Sequence, residues 1–295
     1  MTKPIIVAEI GCNHKGDMEI AHRMIKLLGV FKTLNPDSAI DIVKFQKRTN
    51  KELLSKEEYN APHPNPENSY GKTYGEHREF LEFNLDQHRE LKTYCEDNGL
   101  IYSTSVWDTT AAKEIASINP KLIKVPSASN LNFEMLEVLR DTYNGEIHIS
   151  FGMTTHEEER KIIRFFKEKQ RLQDLVIYSC TSGYPVPFKD ICLGEITRLK
   201  ETYGKDVKGI GFSGHHLGIA VDVAALALGA TYFERHFTMD RTWKGTDHAA
   251  SLEYQGMLKL ARDLRAASLA LSDKEKEILD IEEVQRKKLK HFVNV

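Results

Sequence analysis

The sequence contains little cysteine, little net charge and no long apolar run. Its 4 cysteines in 295 residues are too few and too scattered for a disulfide framework, so we expect reduced thiols. The formal net charge of −2 excludes a basic field that would recruit nucleic acid or an anionic membrane. No stretch approaches the roughly 20 apolar residues of a membrane helix. Any anionic ligand must therefore be held by a local cluster of cationic side chains.

The N-terminus lacks a targeting signal. Met1 to Pro4 lead directly into an apolar run, without the basic and apolar regions of a signal peptide. With the reduced cysteines, this predicts a soluble cytoplasmic protein that has no nucleic-acid or membrane partner.

Short apolar, β-branched runs recur along the chain, and a helical pattern follows each of them. Their nearly continuous apolar character is typical of parallel strands that are buried on both faces. Eight such units in 295 residues predict an α/β fold, the (β/α)8 TIM barrel, with a doubly wound sheet as the alternative. The predicted strands are residues 5–10, 39–46, 101–107, 122–127, 146–152, 175–181, 209–213 and 230–237. The predicted helices are residues 19–28, 85–98, 110–118, 133–141, 156–169, 194–203, 219–228 and 253–270.

Two segments interrupt this rhythm. Residues 48–84 form a long polar connection after the second strand, which is typical of a functional lid or a partner surface, with a disordered insertion as the alternative. Residues 272–295 form a charged helical segment, either a closing helix or a connector. We therefore expect a catalytic barrel over residues 1–271 and a separate helix over residues 272–295.

Two lysines, Lys44 and Lys124, lie inside apolar strands. A buried ammonium group is costly unless an anion or a carboxylate pairs with it. Because hydroxyl side chains end the neighbouring strands, the pattern predicts a pocket for a multiply charged anion such as a phosphorylated carboxylate. The alternative is a structural salt bridge to an adjacent strand, for example to Glu9. The hydroxyl residues are Ser103, Thr104, Ser105, Ser127, Ser150 and Ser213.

Two histidines, His215 and His236, end the last two predicted strands. A strand, a crossover helix and a parallel strand bring both imidazoles to the same end of the sheet, where barrels of this type carry their active sites. Neutral imidazole binds metals, and a carboxylate such as Glu9 or Asp247 would favour a hard divalent ion. The sequence therefore predicts a metal site, with hydrogen-bonded structural histidines as the alternative.

Other charged residues receive no functional role. His216 is expected to point away from the metal site, because adjacent residues on a strand face opposite sides. Glu234 and Arg235 are expected to form an ordinary ion pair. The histidines expected on the surface are His63, His77, His88, His156 and His291.

Together these segments resemble the catalytic barrel of the sialic acid (N-acetylneuraminate) synthase family, which condenses phosphoenolpyruvate with an amino sugar. The resemblance rests on residues 8–16, 43–46, 123–127, 180–187, 211–215 and 234–238, followed by Asp247. It spans nearly the whole chain in the same order. It implies a TIM barrel that converts phosphoenolpyruvate and an N-acetylmannosamine-like sugar aldehyde into a sialic-acid-like 3-deoxy-2-ulosonic acid and phosphate.

The resemblance also implies roles for individual residues. His215 and His236 would hold a divalent metal, usually Mn²⁺, with Mg²⁺ or Co²⁺ as alternatives. The predicted catalytic residues are Glu9, Lys44, Lys124 and Asp247, of which Glu9 or Asp247 would handle a proton. The predicted phosphoenolpyruvate site comprises Lys44, Thr104, Lys124, Ser127, Ser150 and Ser213. The acceptor sugar would lie near Gln46, Tyr184 and Asp247, and Ser182 is a further predicted substrate-binding residue.

The sequence departs from the family pattern in three places. Family members commonly carry asparagine at the position of Ser182 and an acidic residue at that of Ser129, which leaves the acceptor open. The typical enzyme continues into a small antifreeze-like domain that supplies an arginine to a partner's active site. Because this sequence stops at Val295, we expect that arginine and that mode of dimerisation to be missing. Related barrels pair through their helices, which allows a homodimer.

If that arginine is missing, the connection over residues 48–84 must contribute more of the acceptor site. Its charged candidates are Arg48, Lys72, His77 and Arg78.

Three other functions are compatible with the sequence. A class I aldolase would use Lys44 or Lys124 as a Schiff-base nucleophile and would need no metal. A 3-deoxy-octulosonate or heptulosonate phosphate synthase would share the anion site but place a cysteine among the metal ligands, for which Cys12 is the candidate. A barrel that has lost turnover would act as a binding or scaffold subunit, a function that the missing arginine favours.

Overall fold

Eight parallel strands pair in chain order and close on themselves in the computed structural model, which describes residues 3–34 and 36–291. The predicted TIM barrel is thus confirmed, and the doubly wound alternative is wrong. Each strand lies within its predicted run or extends it by one residue. The strands are β1 (Ile5–Gly11), β2 (Ile42–Lys47), β3 (Ile101–Val106), β4 (Leu122–Val125), β5 (Glu146–Ser150), β6 (Leu175–Cys180), β7 (Gly209–Ser213) and β8 (Tyr232–His236).

Helices fill the connections between the strands. They are α1 (Met18–Leu34), α2 (Asn50–Leu53), α3 (Lys56–Asn60), α4 (Tyr74–Phe80), α5 (Leu85–Asp97), α6 (Thr109–Ser117), α7 (Phe133–Thr142), α8 (His156–Lys167), α9 (Gly194–Tyr203), α10 (Ala220–Ala227), α11 (Tyr254–Ala270) and α12 (Asp280–Leu289). Each of the eight predicted barrel helices is present, as α1 or as one of α5 to α11. Across residues 3–34 and 36–291, every helix is too short or too polar to span a lipid bilayer.

Local sequence signals fix where several helices begin. Asn84 accepts a hydrogen bond from the backbone N–H of Gln87, and the Gln87 side chain accepts one from the N–H of Asn84, each at 2.9 Å. Thr155 and Glu158 form the same capping box at the start of α8. These boxes satisfy backbone donors that the first turn leaves open, which places the starts of α5 and α8 where the sequence predicts them.

α1 continues well past its predicted end at residue 28. A glycine inside a helix usually weakens it, yet Gly29 lies within α1. A Cβ atom at this position would approach the Cβ of Asn98 to 2.8 Å. Gly29 is therefore a packing residue that lets α1 lie close to the end of α5.

The inner side of the barrel changes from apolar to polar along the strands. Near the amino ends of the strands, Val7, Ile42 and Leu122 form an apolar cluster that is separate from the main core. Two residues further along β1 and β2, the strand period of two places Glu9 and Lys44 on the same side. Glu9 and Lys44 thus lie in the interior towards the carboxyl ends of β1 and β2.

The connection over residues 48–84, which we call the lid, is folded. It contains α2, α3 and α4 and a 3-10 turn at Pro66–Asn68. The Asn68 side chain accepts a hydrogen bond from the backbone N–H of Gly245 at 3.3 Å, and the Tyr70 hydroxyl donates to the carbonyl of Lys244. The lid is therefore tied to the loop that follows β8, and the alternative of a disordered insertion is wrong.

The predicted C-terminal helix is shorter than expected. α12 covers only part of residues 272–295, and residues 292–295 lie outside the described residues. Ile281 and Val284 are 79% and 64% exposed on it. The apolar side chains of α12 therefore do not enter the barrel core.

Candidate active site

A cavity of about 340 Å³, which we call the central cavity, opens at the carboxyl ends of the strands. Every strand contributes to its wall, as expected for a TIM barrel. All predicted site residues except Thr104 and Asp247 line it. The lining residues are Glu9, Lys44, Gln46, Ser105, Trp107, Lys124, Pro126, Ser127, Ala128, Ser150, Met153, Cys180, Ser182, Tyr184, Ser213, His215, Glu234 and His236.

The two buried lysines are paired with two buried carboxylates. Lys44 Nζ lies 2.6 Å from Glu9 Oε2 and 3.6 Å from Glu234 Oε1, and it donates a hydrogen bond to Ser105 Oγ at 2.7 Å. Lys124 Nζ lies 2.8 Å from Glu234 Oε2. The salt bridge from Lys44 to Glu9 that the sequence allowed is therefore present, and it coexists with a cavity lined by both lysines.

Burial and ion pairing shift the pKa values of these four groups in different directions. Burial disfavours the Glu234 carboxylate, but Lys124 and Lys44 outweigh it and hold the pKa of Glu234 below its ordinary value. Burial raises the pKa of Glu9 despite Lys44. Burial opposes the charge of Lys44, but Glu234 and Glu9 outweigh it and raise the pKa of Lys44. Burial lowers the pKa of Lys124, which Glu234 only partly offsets. Of the four groups, Glu9 gains a proton and Lys124 loses one more readily than usual.

Glu234 is the site residue that the sequence analysis missed, since it was expected to pair with Arg235. The two side chains lie on opposite sides of β8. Glu234 faces the cavity, whereas the Arg235 guanidinium lies 2.5 Å from Asp222 and donates to the carbonyl of His216. The available signal was the strand period of two, which places Glu234 on the same face as His236. As predicted, His216 faces away, and its Nε2 lies 3.2 Å from Asp222.

Hydroxyl groups are held together beside the lysines. Ser127 Oγ accepts a hydrogen bond from the backbone N–H of Gly152 at 3.0 Å. A Cβ atom at Gly152 would lie 2.6 Å from Ser182 Oγ and 2.7 Å from Ser127 Oγ. Only glycine at this position lets both hydroxyls approach the same backbone segment. Ser127 and Ser182 thus form a compact group of hydrogen-bonding partners on the cavity wall.

The prediction that Thr104 binds substrate in this cavity was wrong. Thr104 Oγ1 donates to the Tyr102 hydroxyl at 2.6 Å, and that hydroxyl lies 2.8 Å from Nδ1 of His88 on α5. Thr104 therefore faces the helices outside the barrel. Ser105, the next residue on β3, faces inward and contacts Lys44. The sequence shows the run of hydroxyl residues on β3, but it does not show which of them faces the interior.

The two predicted metal ligands are brought together. The ring centroids of His215 and His236 are 5.5 Å apart, and the Tyr184 ring packs 4.3 Å from that of His215. His215 Nδ1 lies 3.1 Å from the carbonyl of Thr181, so this nitrogen carries the proton and Nε2 keeps its lone pair. Burial and the neighbouring His236 lower the pKa of His215 to about 4, which keeps its ring neutral.

The donors at this position fit a divalent metal ion. His236 Nδ1 is buried without a hydrogen-bond partner among the described residues, and it lies 3.9 Å from Asp247 Oδ2. A neutral His215 and an unpaired nitrogen of His236 are the donors that such ions prefer. Within residues 3–34 and 36–291, the one compact trio of potential protein ligands lies elsewhere, on the outer face. It consists of His156, Glu159 and Glu195, whose carboxylates already pair with Arg198.

A second cavity of about 320 Å³, the lid cavity, lies between the lid and the barrel. It shares Gln46, Trp107, Tyr184 and His236 with the central cavity. Asp247 lines this cavity rather than the central one, together with Gln46 and Tyr184, the two other residues expected near the acceptor sugar. The other lining residues are Cys12, Arg48, His63, Tyr74, His77, Arg78, Leu81 and Thr246.

Three histidines that were expected on the surface are buried. His63 and His77 belong to the lid and are buried within it, with their ring centroids 4.3 Å apart. His88 is fully buried against Tyr102. The prediction failed because the lid and α5 cover positions that look polar and exposed in the sequence. As predicted, His156 and His291 are exposed.

Comparisons with known proteins agree with this architecture. The sequence profile of the NeuB family matches residues 35–276. The chain is 36% identical over 284 residues to human N-acetylneuraminate-9-phosphate synthase, which covers 96% of this chain and 76% of that protein. It is 30% identical over 274 residues to N,N'-diacetyllegionaminic acid synthase of Campylobacter jejuni, covering 92% of this chain and 79% of that protein.

A solved structure shows the same similarity. The chain superposes on N-acetylneuraminic acid (sialic acid) synthetase from Leptospira borgpetersenii, solved with citrate, with a TM-score of 0.80 at 25% sequence identity. The superposition covers 98% of this chain and 93% of that structure. The whole barrel is therefore shared with these proteins.

Proposed function

The chain belongs to the NeuB family, and on that premise we propose that it condenses phosphoenolpyruvate with an open-chain N-acetylated aldose. The products are a sialic-acid-like 3-deoxy-2-ulosonic acid and phosphate. The resemblance to sialic acid synthases that the sequence indicated is confirmed. One observation carries the proposal: two buried lysines and a group of hydroxyls line the same cavity as His215 and His236.

The lysine side of the central cavity suits phosphoenolpyruvate. Lys44 and Lys124 supply positive charge, while Ser127, Ser150 and Ser213 supply hydrogen bonds for the phosphate and carboxylate. Without a ligand, Glu9 and Glu234 balance the lysines. Of the two carboxylates, Glu9 is the one that accepts a proton more readily, because burial raises its pKa.

The histidine side suits a divalent cation. His215 and His236 would hold Mn²⁺, with Mg²⁺ or Co²⁺ as alternatives. When bound, such an ion supplies a Lewis acid that polarises the aldehyde oxygen of the sugar. The Tyr184 ring packs against both histidines, at centroid distances of 4.3 and 5.8 Å, and thereby fixes the orientation of their rings.

The reaction forms one carbon–carbon bond at C3 and one carbon–oxygen bond at C2, and it breaks the bond between C2 and the phosphate oxygen. C3 of phosphoenolpyruvate attacks the aldehyde carbon, and positive charge develops at C2. Water then adds at C2, and the tetrahedral intermediate expels phosphate. The aldehyde oxygen gains one proton, and the attacking water loses one. The lysines act by holding the donor in place and by stabilising the charge that develops on it.

Glu9 and Asp247 are placed for different proton transfers. Glu9 lies in the central cavity and accepts a hydrogen bond from Gln46 at 2.9 Å. Asp247 lies beside His236 in the lid cavity, where the acceptor sugar would bind. We therefore assign the proton of the attacking water to Glu9 and that of the sugar oxygen to Asp247.

A class I aldolase is the second candidate, because burial lowers the pKa of Lys124 as a Schiff-base nucleophile requires. The position of Lys124 argues against it. Its Nζ is held 2.8 Å from Glu234 and 4.0 Å from the ring centroid of Tyr178, so the amine is engaged by these two groups rather than free to attack a carbonyl carbon. Borohydride trapping of substrate on the protein, together with activity in the presence of a chelator, would favour the aldolase.

A synthase with a cysteine among its metal ligands is not supported. Cys12 Sγ accepts a hydrogen bond from Arg48 Nη2 at 2.7 Å and lines the lid cavity only. Burial raises the pKa of Cys12 to about 11, so the metal-free side chain is a thiol.

The proposed function is tested by incubating the protein with phosphoenolpyruvate, Mn²⁺ and a panel of aldoses. We expect release of phosphate and formation of a 3-deoxy-2-ulosonic acid with N-acetylmannosamine or its 6-phosphate, and no reaction after chelation. Binding of phosphoenolpyruvate without phosphate release on any acceptor would show instead that the barrel is a binding subunit.

A further inference from the structure

The lid cavity contains two arginines that the proposed reaction does not use. Arg48 follows β2, and Arg78 lies in α4 of the lid. Their guanidinium carbons lie 5.5 and 5.8 Å from the ring centroid of Trp107, which lines both cavities. Two cations therefore flank one aromatic wall of the space in which the acceptor sugar would bind.

The two arginines differ in how their charge is balanced. Arg48 Nε lies 2.5 Å from a carboxylate oxygen of Glu82. Arg78 donates from Nε and Nη2 to the neutral Tyr74 hydroxyl, at 3.1 and 2.7 Å, and its guanidinium packs on the Tyr74 ring. It forms no ion pair with any carboxylate in residues 3–34 and 36–291. Arg78 therefore contributes an uncompensated positive charge to the lid cavity.

Two neighbouring groups add hydrogen-bond donors, and the carboxylate that lines this cavity, Asp247, lies beside His236 and pairs with neither arginine. Trp107 Nε1 is buried without a hydrogen-bond partner in the described part of the chain. His77 Nδ1 accepts a hydrogen bond from the backbone N–H of Tyr70 at 3.1 Å, so the neutral ring carries its proton on Nε2. Burial is the largest cause that lowers the pKa of His77 to about 4, and His63, Arg78 and Arg48 add to it. This wall of the cavity needs a ligand rich in acceptor oxygens.

We propose that Arg78, assisted by Arg48, binds a phosphate ester on the acceptor, so that the substrate is an N-acetylhexosamine 6-phosphate rather than the free sugar. This inference rests on the proposed function, because it assumes that the acceptor occupies the lid cavity. The new carbon–carbon bond forms at C1 of the hexose, near His236. C6 is the far end of the open chain, and the lid arginines line another part of the same wall.

Family membership alone does not decide this point. The relatives include one synthase whose name contains a phosphate and one whose name does not. A phosphate monoester carries nearly two negative charges at neutral pH and binds arginine through paired hydrogen bonds. It would neutralise Arg78, which otherwise stays in a partly buried cavity without a counter-ion.

The subsite can be tested without turnover. The alditols of N-acetylmannosamine and of its 6-phosphate lack the aldehyde and cannot react, and calorimetry gives their affinities for the protein with Mn²⁺ and phosphoenolpyruvate present. We expect the wild-type protein to bind the phosphorylated alditol about 100-fold more tightly than the unphosphorylated one. In Arg78→Ala this ratio should fall to less than about 5-fold.

Two further variants control for damage to the lid. Lys72→Ala removes a lid cation that is exposed and does not line the cavity, and it should keep the wild-type ratio. Arg78→Gln keeps a donor for the Tyr74 hydroxyl but loses the charge, and should behave like Arg78→Ala. Equal affinities of the wild-type protein for the two alditols, or a ratio that survives in both Arg78 variants, would overturn the inference.

Turnover separates this inference from the proposed function. With phosphoenolpyruvate and Mn²⁺, kcat/KM should be about 100-fold higher for the 6-phosphate than for the free sugar. Equal kcat/KM values for both sugars would overturn the phosphate subsite and leave the proposed function intact. If neither sugar releases phosphate, the proposed function falls, and the alditol ratio still decides whether Arg78 binds phosphate.

Discussion

Lys124 on β4 and Glu234 on β8 meet across the interior of the barrel, with 2.8 Å between Nζ and Oε2. β4 and β8 are on opposite sides of the closed ring of strands. Ser213 Oγ donates to the other oxygen of Glu234 at 3.2 Å, and Lys44 lies 3.6 Å from it. The charge of a buried carboxylate is thus shared between two lysines, both of which remain on the wall of the cavity.

Removing both partners of this pair should cost less than the sum of the two single removals. Glu234→Gln leaves two buried ammonium groups with Glu9 as their one nearby carboxylate, and we expect a loss of about 3 kcal/mol in the free energy of unfolding. Lys124→Met should cost a similar amount. In the double variant, the two effects should fall short of additivity by about 1–3 kcal/mol. Urea unfolding monitored by circular dichroism gives the free energies of unfolding of the wild type and the three variants. Strictly additive losses in the double variant would show that Lys124 and Glu234 are not coupled.

The histidine pair should be needed for metal binding and activity. His215→Ala and His236→Ala each remove a neutral nitrogen donor, and we expect Mn²⁺ affinity to fall by at least about 100-fold in each case. Phosphate release from phosphoenolpyruvate should fall in parallel. His156→Ala is the matched control, because it disrupts the trio on the outer face and should leave both measurements unchanged. Loss of Mn²⁺ binding in His156→Ala, with retention in the other two variants, would move the metal site to the surface.

The positions of the Ser127 and Ser182 hydroxyls beside Gly152 should be sensitive to a single added methyl group. Gly152→Ala would bring a Cβ atom to 2.6 Å from Ser182 Oγ and 2.7 Å from Ser127 Oγ, so the hydroxyls must move apart. We expect the KM for phosphoenolpyruvate to rise by about 10-fold or more, since misplacement of binding groups is costly. Gly194→Ala, where no atom lies within 4 Å of the added Cβ, should leave KM unchanged. Equal KM values for both variants would place the anion away from these serines.

Buried neutral histidines should make stability depend on pH below neutrality. Burial lowers the pKa of His14 and of His88 to about 3 and that of His215 to about 4, whereas the unfolded chain has histidine pKa values near 6.5. The unfolded state therefore binds more protons between these values, and stability falls as pH decreases from about 6.5 towards about 4. Each such histidine contributes a slope of up to about 1.4 kcal/mol per pH unit.

Urea titrations of the metal-free protein at several pH values between 5 and 7 test this prediction. His88→Gln should reduce the slope by about one proton, whereas His156→Gln, at an exposed position, should not change it. A wild-type stability that is constant over this range would mean that the buried histidines are protonated in the folded protein.

The barrel was predictable because its strands are buried on both faces. Continuous apolar runs such as residues 175–180 give a strong local signal, and capping pairs such as Thr155 and Glu158 mark the helix starts. The lysines and the two histidines were identifiable because a charged or ligand-forming residue inside an apolar strand is unusual. The end of α1 was predicted too early, at residue 28, because the role of Gly29 depends on its contact with the distant residue Asn98.

What the sequence did not reveal depends on orientation and on cover from the lid. Thr104 and Ser105 are equally polar neighbours, and only the direction of β3 decides which of them lines the cavity. Glu234 looked like the partner of Arg235 because adjacent opposite charges suggest a pair, although they face opposite sides of the strand. Asp247, His63 and His77 acquire their surroundings from the fold of the lid and of the loop after β8, and no short-range pattern encodes that contact.

The most direct test of the proposed condensation uses phosphoenolpyruvate labelled with ¹⁸O in the bridging oxygen between C2 and phosphorus. The protein is incubated with this donor, Mn²⁺ and N-acetylmannosamine or its 6-phosphate, and mass spectrometry measures both products. We predict equimolar 3-deoxy-2-ulosonic acid and phosphate, with the label entirely in the phosphate. Absence of the ulosonic acid with both sugars, or its formation without release of labelled phosphate, would contradict the proposed function.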